Sequence, residues 1–212
     1  MKCRALVIVG TRPEAIKMAP VILALRNSPD ISCCVLATAQ HRHMLDQVMK
    51  VFDIKPDIDL DIMRPNQTLT ALTARLLSGL DDVLVGEKPD VVLVQGDTTT
   101  VMTAALACFY HRIPFGHVEA GLRTWDMQNP FPEEMNRVIA GRLAKWYFAP
   151  TESSRQNLLR EGVSDKDIVV TGNTVIDALL SVVDRHVELP IQLDPTKRLI
   201  LVTAHRRENF GE

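Results

Sequence analysis

The sequence predicts an α/β fold, with helices wrapped over both faces of a parallel, doubly wound sheet. Three observations carry this. Short β-branched runs alternate with helix-period stretches from the first residues onward. Most of those runs are near-continuously apolar rather than alternating, as strands covered on both faces should be. Polar and charged residues gather just past the runs, where an open α/β sheet binds its ligands.

Taken in order, strands are expected near 4–9, 31–37, 57–62, 90–95, 114–118, 146–149 and 168–171. Between them a helix starts at Pro13, which Pro20 must kink or split because proline lacks the N–H of the helical ladder. Further helices fit 43–52 and 68–86, where Leu69, Leu72, Leu76, Leu80, Val83 and Leu84 keep one apolar face. Others fit 99–111, 133–144 and 152–161, the last behind Thr151 as N-cap. A helix over 174–187 and the apolar run Arg198–Thr203 follow. Residues 1–172 therefore read as an N-terminal Rossmann-like domain, and 173–212 as an interdomain helix and the first strand of a second α/β domain, cut off after its first loop.

Composition narrows the function classes. Apolar residues at 46 % and charged residues at 24 % match a globular average. Twenty-four Lys and Arg against 26 Asp and Glu leave a net charge of −2, without the basic excess of a dedicated nucleic-acid binder. The longest unbroken apolar run, Ala104 to Tyr110, is far below the ~18 residues a membrane span needs. Cys3, Cys33, Cys34 and Cys108 form no C-x-x-C pair and no zinc spacing, so reduced thiols in a cytoplasmic protein are expected.

The rim past the strands is rich in chemistry. Strand one runs into Gly10-Thr11-Arg12-Pro13-Glu14 and Lys17, strand two into Gln40-His41-Arg42-His43, and strand four into Gly96-Asp97-Thr98-Thr99-Thr100. Strand five ends in His117-Val118-Glu119-Ala120-Gly121-Leu122-Arg123, with Pro132-Glu133-Glu134 opening the next helix. Cations and helix N-termini suit phosphate, and carboxylates held in a cleft suit proton transfer. Blander roles fit the same residues: Arg12 and Glu14 as a loop pair, Asp97 as a helix cap, Glu133 and Glu134 favouring their helix dipole, and His41, His43 and His111 at the surface. No G-x-G-x-x-G follows strand one, and no P-loop, H-E-x-x-H or G-x-S-x-G occurs, so neither NAD nor P-loop chemistry is supported.

Eight segments in order resemble one family. GTRPEAIKMAP (10–20), TAQHR followed by MLDQ (38–47), PDVVLVQGDTTT (89–100), GHVEAGLRT (116–124), PFPEEMNR (130–137), PTESSRQNLLREGV (150–163), TGNTVIDAL (171–179) and LVTAHRRENFG (201–211) look like the non-hydrolysing UDP-N-acetylglucosamine 2-epimerases. The resemblance implies the N-terminal half of a glycosyltransferase-B-like fold and a usually dimeric cytoplasmic enzyme. That enzyme interconverts UDP-GlcNAc and UDP-ManNAc and feeds ManNAc to surface polysaccharides. Asp97, Glu119, Glu133 and His205 fall on the family's catalytic positions, and Arg12, Lys17 and Arg207 on substrate-binding ones. Gln40, His43, Glu133 and Arg207 match a regulatory contact set for a second UDP-GlcNAc, although the usual pattern has Gln where His43 stands. The family's Ser-Gly-Gly-x-Gln-Glu nucleotide segment would lie downstream of Glu212.

The implied chemistry makes sense of the rim. No carbonyl flanks the hydrogen on C2 of the sugar, so simple abstraction would be very slow. Departure of UDP must assist, leaving oxocarbenium-like charge at C1 while a base takes the C2 proton. Elimination gives 2-acetamidoglucal, and re-addition of UDP with protonation from the opposite face inverts C2. One face needs a base and the other an acid, hence several carboxylates around one sugar. Cations must hold the detached UDP, or the intermediate escapes. The route demands no redox cofactor and no metal. Two alternatives stand beside it: a hydrolysing relative that releases ManNAc and UDP, and a sugar-nucleotide-binding fragment without turnover.

Overall fold

Successive side chains of a strand point to opposite faces of its sheet, and β1 (Cys3–Val9) buries both sets. Leu6 and Ile8 join one apolar cluster, and Val7 and Val9 join the other. The computed structural model in which this is seen describes residues 2–38, 42–62, 64, 66–185, 196–200 and 202, without the side chains of 42–44. A strand buried on both faces belongs at the centre of a sheet covered by helices on each side.

That sheet has seven parallel strands in the order β3-β2-β1-β4-β5-β6-β7. The other strands are β2 (Ile31–Ala37), β3 (Ile58–Asp59), β4 (Val91–Gln95), β5 (Phe115–Val118), β6 (Trp146–Ala149) and β7 (Ile168–Val170). Among the described residues seven α-helices alternate with them: α1 (Arg12–Asn27), α2 (Arg42–Val51), α3 (Leu69–Glu87), α4 (Thr99–His111), α5 (Glu133–Leu143), α6 (Glu152–Arg160) and α7 (Thr174–Leu180). One face packs on α3, α4 and α5 through Leu80, Leu84, Val101, Ala104, Cys108 and Ala140. The opposite face packs on α1, α2 and α7 through Ala15, Met18, Ile22, Leu45, Met49 and Ala178. The winding reverses between β1 and β4, so the crevice beyond their carboxyl ends is where a ligand belongs. Among the described residues no helix is long and apolar enough to cross a membrane.

Five expectations need correction. Of the kink or split expected at Pro20, the split does not occur: α1 continues to Asn27 with Met18, Ala19 and Ile22 fully buried around it. Packing on the sheet outweighs the hydrogen bond that proline removes. The strand expected over 57–62 shrinks to Ile58–Asp59, because Asp61 turns to a φ of +44° and the chain leaves the ladder. Leu69 lies 44 % exposed at the start of α3, off the buried stripe that runs from Leu72 to Leu84. Helix α7 ends at Leu180, short of 187, where Ser181 caps it and a turn follows. Of the strand expected over Arg198–Thr203, Arg198–Ile200 and Val202 lie in no strand, with Leu199, Ile200 and Val202 all exposed, and Leu201 and Thr203 lie outside the described residues. A strand needs a neighbour for its N–H and C=O groups, and none of the described strands supplies one there.

Candidate active site

The turn from β1 into α1 is built around an inward carboxylate. Glu14 is buried in the first turn of α1, and its Oε2 accepts hydrogen bonds from Gly10 N (2.6 Å) and Thr11 N (2.8 Å). Its Oε1 accepts from Thr98 Oγ1 (2.6 Å), which ties this turn to the one after β4. Burial pushes the Glu14 carboxyl above the usual carboxylate range, opposed by the bonds from Thr98, Gly10 and Thr11. A Cβ on Gly10 would come within 2.7 Å of Thr38 Oγ1 and 2.8 Å of Thr100 Oγ1, two buried side chains, so only glycine fits this junction. The loop pair between Arg12 and Glu14 does not form. Arg12 is exposed and carries no hydrogen bond or ion pair among the described residues.

Lys17 lies five residues beyond Arg12, about 140° around the helix, and reaches the other way. Its Nζ sits 2.5 Å from Glu119 Oε2, and Gln95 Nε2, at the end of β4, donates to the same oxygen at 2.6 Å. Glu119 follows β5 with a φ of +65°, in the left-handed region that a side-chain-bearing residue occupies only under constraint. Its carboxylate is thus fixed by a strained backbone, a lysine from α1 and a glutamine from β4.

A second seat holds Asp97, past β4. Asp97 Oδ2 lies 2.5 Å from an Arg137 guanidinium nitrogen, and its backbone carbonyl accepts from Asn136 Nδ2 at 2.9 Å. The bland reading of Asp97 as the cap of α4 is not what forms, since Thr98 occupies the N-cap position. Arg137 also approaches Glu134 Oε2 at 3.2 Å, and Glu134 Oε1 accepts from the backbone of Thr124 and Trp125 at 3.0 Å each. Beneath lies His117, buried in β5, whose Nε2–H donates to the Gly96 carbonyl at 2.7 Å. Burial is the main reason its imidazole is pushed down to about 4, so it is neutral near pH 7.

Glu133 opens α5 half-buried, with no hydrogen bond or ion pair among the described residues. Four residues before Arg137, it shares the helix face that meets Asp97. Arg123 turns away from the crevice to grip Glu161 at 2.6 and 2.9 Å, which fastens the β5 turn to α6. In the same turn Gly121, at φ +86°, lies so close to α6 that a Cβ there would collide with the Ser154 carbonyl. His111 is a surface residue on Asp81.

A family model described as UDP-N-acetylglucosamine 2-epimerase matches residues 23–212. The chain belongs to the UDP-N-acetylglucosamine 2-epimerase family. A UDP-N-acetylglucosamine 2-epimerase of Yersinia pestis is 58 % identical over 98 % of this chain, and the match covers 58 % of that relative. The structure of the Neisseria meningitidis UDP-GlcNAc 2-epimerase bound to UDP-GlcNAc is 56 % identical, with a TM-score of 0.82 over 84 % of this chain and 48 % of that one. The Methanocaldococcus jannaschii epimerase in complex with UDP-GlcNAc and UDP is 40 % identical, with a TM-score of 0.80 over 84 % of this chain and 49 % of that one. The chain thus spans about half the length of the relatives it matches.

Of the family positions read from the sequence, the fold brings Lys17, Asp97, Glu119 and Glu133 to one rim and leaves Arg12 at its edge. Gln40, His205 and Arg207 lie outside the described residues, and His43 is described only as backbone in the first turn of α2. Sequence reasoning gave no role to Gln95, His117, Asn136 or Arg137, it misread Glu14 as a partner of Arg12, and for Glu134, which does stand in the first turn of α5, it missed the bonds from Thr124 and Trp125. The one available signal was spacing: Glu133, Glu134, Asn136 and Arg137 fill the first turn of a helix that had to point at the rim.

Proposed function

We propose that this chain carries the proton-transfer half of a non-hydrolysing UDP-GlcNAc 2-epimerase. The observation that carries the reading is the pair of carboxylates on neighbouring turns at the switch point, Asp97 on Arg137 and Glu119 on Lys17, with Glu133 beside them and unpaired among the described residues. In this reading one of the three takes the C2 proton as UDP departs from C1. Another delivers a proton from the opposite face, and UDP then returns. The resemblance adds His205 to this set, with Arg12, Lys17 and Arg207 holding substrate and Gln40 and His43 serving regulation.

Charge supports a division of labour. Lys17 and Arg137 are already paired, which leaves Arg12 as the rim cation without a partner among the described residues. One arginine is too little to hold a diphosphate, so we assign most of that work to a second wall facing this one. Residues 1–172 then form the described wall, and 173–212 begin the passage to the other. The exposed apolar side chains of α7 and the turn after it, Ile176, Leu179, Leu180 and Val183, favour a covering domain there. The active form is proposed as a cytoplasmic homodimer, for which exposed Val85, Phe109 and Tyr110 on the packed helices α3 and α4 offer an apolar face.

Product analysis tests the reading. This chain joined to a second domain like that of its relatives is expected to convert UDP-GlcNAc to UDP-ManNAc with no net release of UDP. ManNAc with free UDP would select the hydrolysing reaction. Binding without either product would leave a sugar-nucleotide-binding fragment.

A further inference from the structure

We infer that Arg137 is a positioning residue: it aims the Asp97 carboxylate into the crevice and is itself held in place by Glu134. The inference rests on the reading that Asp97 takes part in proton transfer. Asp97 is anchored at three points, its side chain by Arg137, its own carbonyl by Asn136, and the preceding carbonyl, of Gly96, by His117. Two of these come from the start of α5, so the position of that helix sets the position of Asp97.

Glu134 in turn sets α5. It is 1 % exposed and takes two backbone N–H groups from Thr124 and Trp125, in the loop that follows Glu119 and its turn. Its second oxygen faces Arg137 at ion-pair distance without the alignment of a hydrogen bond. One guanidinium therefore bridges the turn that bears Asp97 and the segment just beyond Glu119, which links the two carboxylate seats mechanically.

The network is poorly built for stability alone. His117 Nδ1, Glu134 Oε2, Asn136 Oδ1 and Arg137 Nε are all buried without a hydrogen-bond partner among the described residues. Half-satisfied polar groups are worse than an apolar core of the same shape. An apolar contact would also pack α5 on β4 and β5, whereas this one is made of Asp97's own anchors: His117 and Asn136 hold its turn, Arg137 holds its carboxylate, and Glu134 pairs with Arg137. Their concentration directly behind Asp97 is what a site built for geometry would show.

The test is kinetic, in the chain joined to a second domain as in its relatives. In Arg137→Met kcat is expected to fall ~10²-fold, the usual cost of a 1 Å misplacement. KM should change little, because Arg137 is committed to Asp97 and Glu134 rather than to substrate. Arg137→Lys, which keeps a charge near Asp97, should recover part of the loss. In the Asp97→Asn background Arg137→Met should cost almost nothing further, since residues acting as one unit are not additive. Should Arg137→Met not fold, Glu134→Gln takes its place. It keeps an acceptor for the Thr124 and Trp125 N–H groups, weakens only the hold on Arg137, and should lower kcat in the same non-additive way. Unchanged kcat in the Arg137 variants, a loss confined to KM, or losses that multiply with Asp97→Asn would overturn the inference. Normal turnover in Asp97→Asn would instead overturn the functional reading beneath it.

Discussion

Glu14 and Asp97 stand on adjacent turns of the same rim, yet their surroundings differ in kind. Glu14 is sealed, with 2 % of its surface exposed, and every contact it makes is to an N–H or O–H that needs an acceptor. Asp97, with its side chain 29 % exposed, meets a cation and keeps an edge open to the crevice. Glu134 shares the sealed setting, 1 % exposed under a loop although its second oxygen also faces Arg137, whereas Glu119, with its side chain 13 % exposed, is held by Lys17 and Gln95 at the rim. A carboxylate that satisfies donors on all sides holds a turn together, and one set against a cation at an opening is available for chemistry. On the proposed reading neighbouring Glu133 and Glu134 differ in role by one step along a helix, the first half-buried and unpaired among the described residues and the second buried on the Thr124 and Trp125 N–H groups.

The largest expected effect lies on the open side of this comparison. With the second domain present, Asp97→Asn, Glu119→Gln and Glu133→Gln should each lower turnover by at least ~10²-fold, the lower end of acid–base contributions. Thermal unfolding should stay near wild type, since amides keep the shape and lose the proton. Steady-state rates read beside melting curves check this, and near-normal turnover removes a residue from the set.

The sealed side should respond in stability. Glu14→Ala strands the Gly10 and Thr11 N–H groups and the Thr98 hydroxyl, a loss of roughly 3 kcal/mol at about 1 kcal/mol or more per stranded group. Urea unfolding of the chain measures it. A stability loss within a few tenths of a kcal/mol would show that these donors find other partners.

A smaller effect, comparable only at low pH, is expected at His117. Its folded pKa of about 4 is below the ordinary 6.5, so the unfolded chain binds a proton that the folded one refuses. The stability this confers is complete above pH 6.5 and is lost as the pH falls towards 4, by roughly 3 kcal/mol in all. His117→Gln, which keeps an N–H for the Gly96 carbonyl, should flatten that decline. Parallel pH dependence in both proteins would place the acid sensitivity elsewhere.

The sheet was legible because β1, β2 and β4 are near-continuous apolar runs, a signal that survives without tertiary knowledge. The short β3 was not, because its end is set by the backbone angle of Asp61 rather than by hydropathy. Pro20 misled for the opposite reason, since local chemistry argued for a break and buried neighbours on the sheet held the helix together. At the candidate site, the positions of Asp97 and Glu119 past their strands follow from the rule that ligands bind there. Their partners could not be found this way, because Lys17 lies 102 residues from Glu119 and Arg137 lies 40 from Asp97, and only the fold brings them together. The misreading of Glu14 has the same origin: sequence offered Arg12 as its nearest charge, and the real partners include Thr98 across the switch point.

The central claim is that the open carboxylates exchange the proton on C2 of the sugar. Its most direct test is reaction in deuterated water, with the chain joined to a second domain like that of its relatives and the sugar read by NMR. The account predicts deuterium at C2 of the UDP-ManNAc formed, and slower incorporation in Asp97→Asn and Glu119→Gln. Product that retains its original hydrogen at C2 throughout would contradict it.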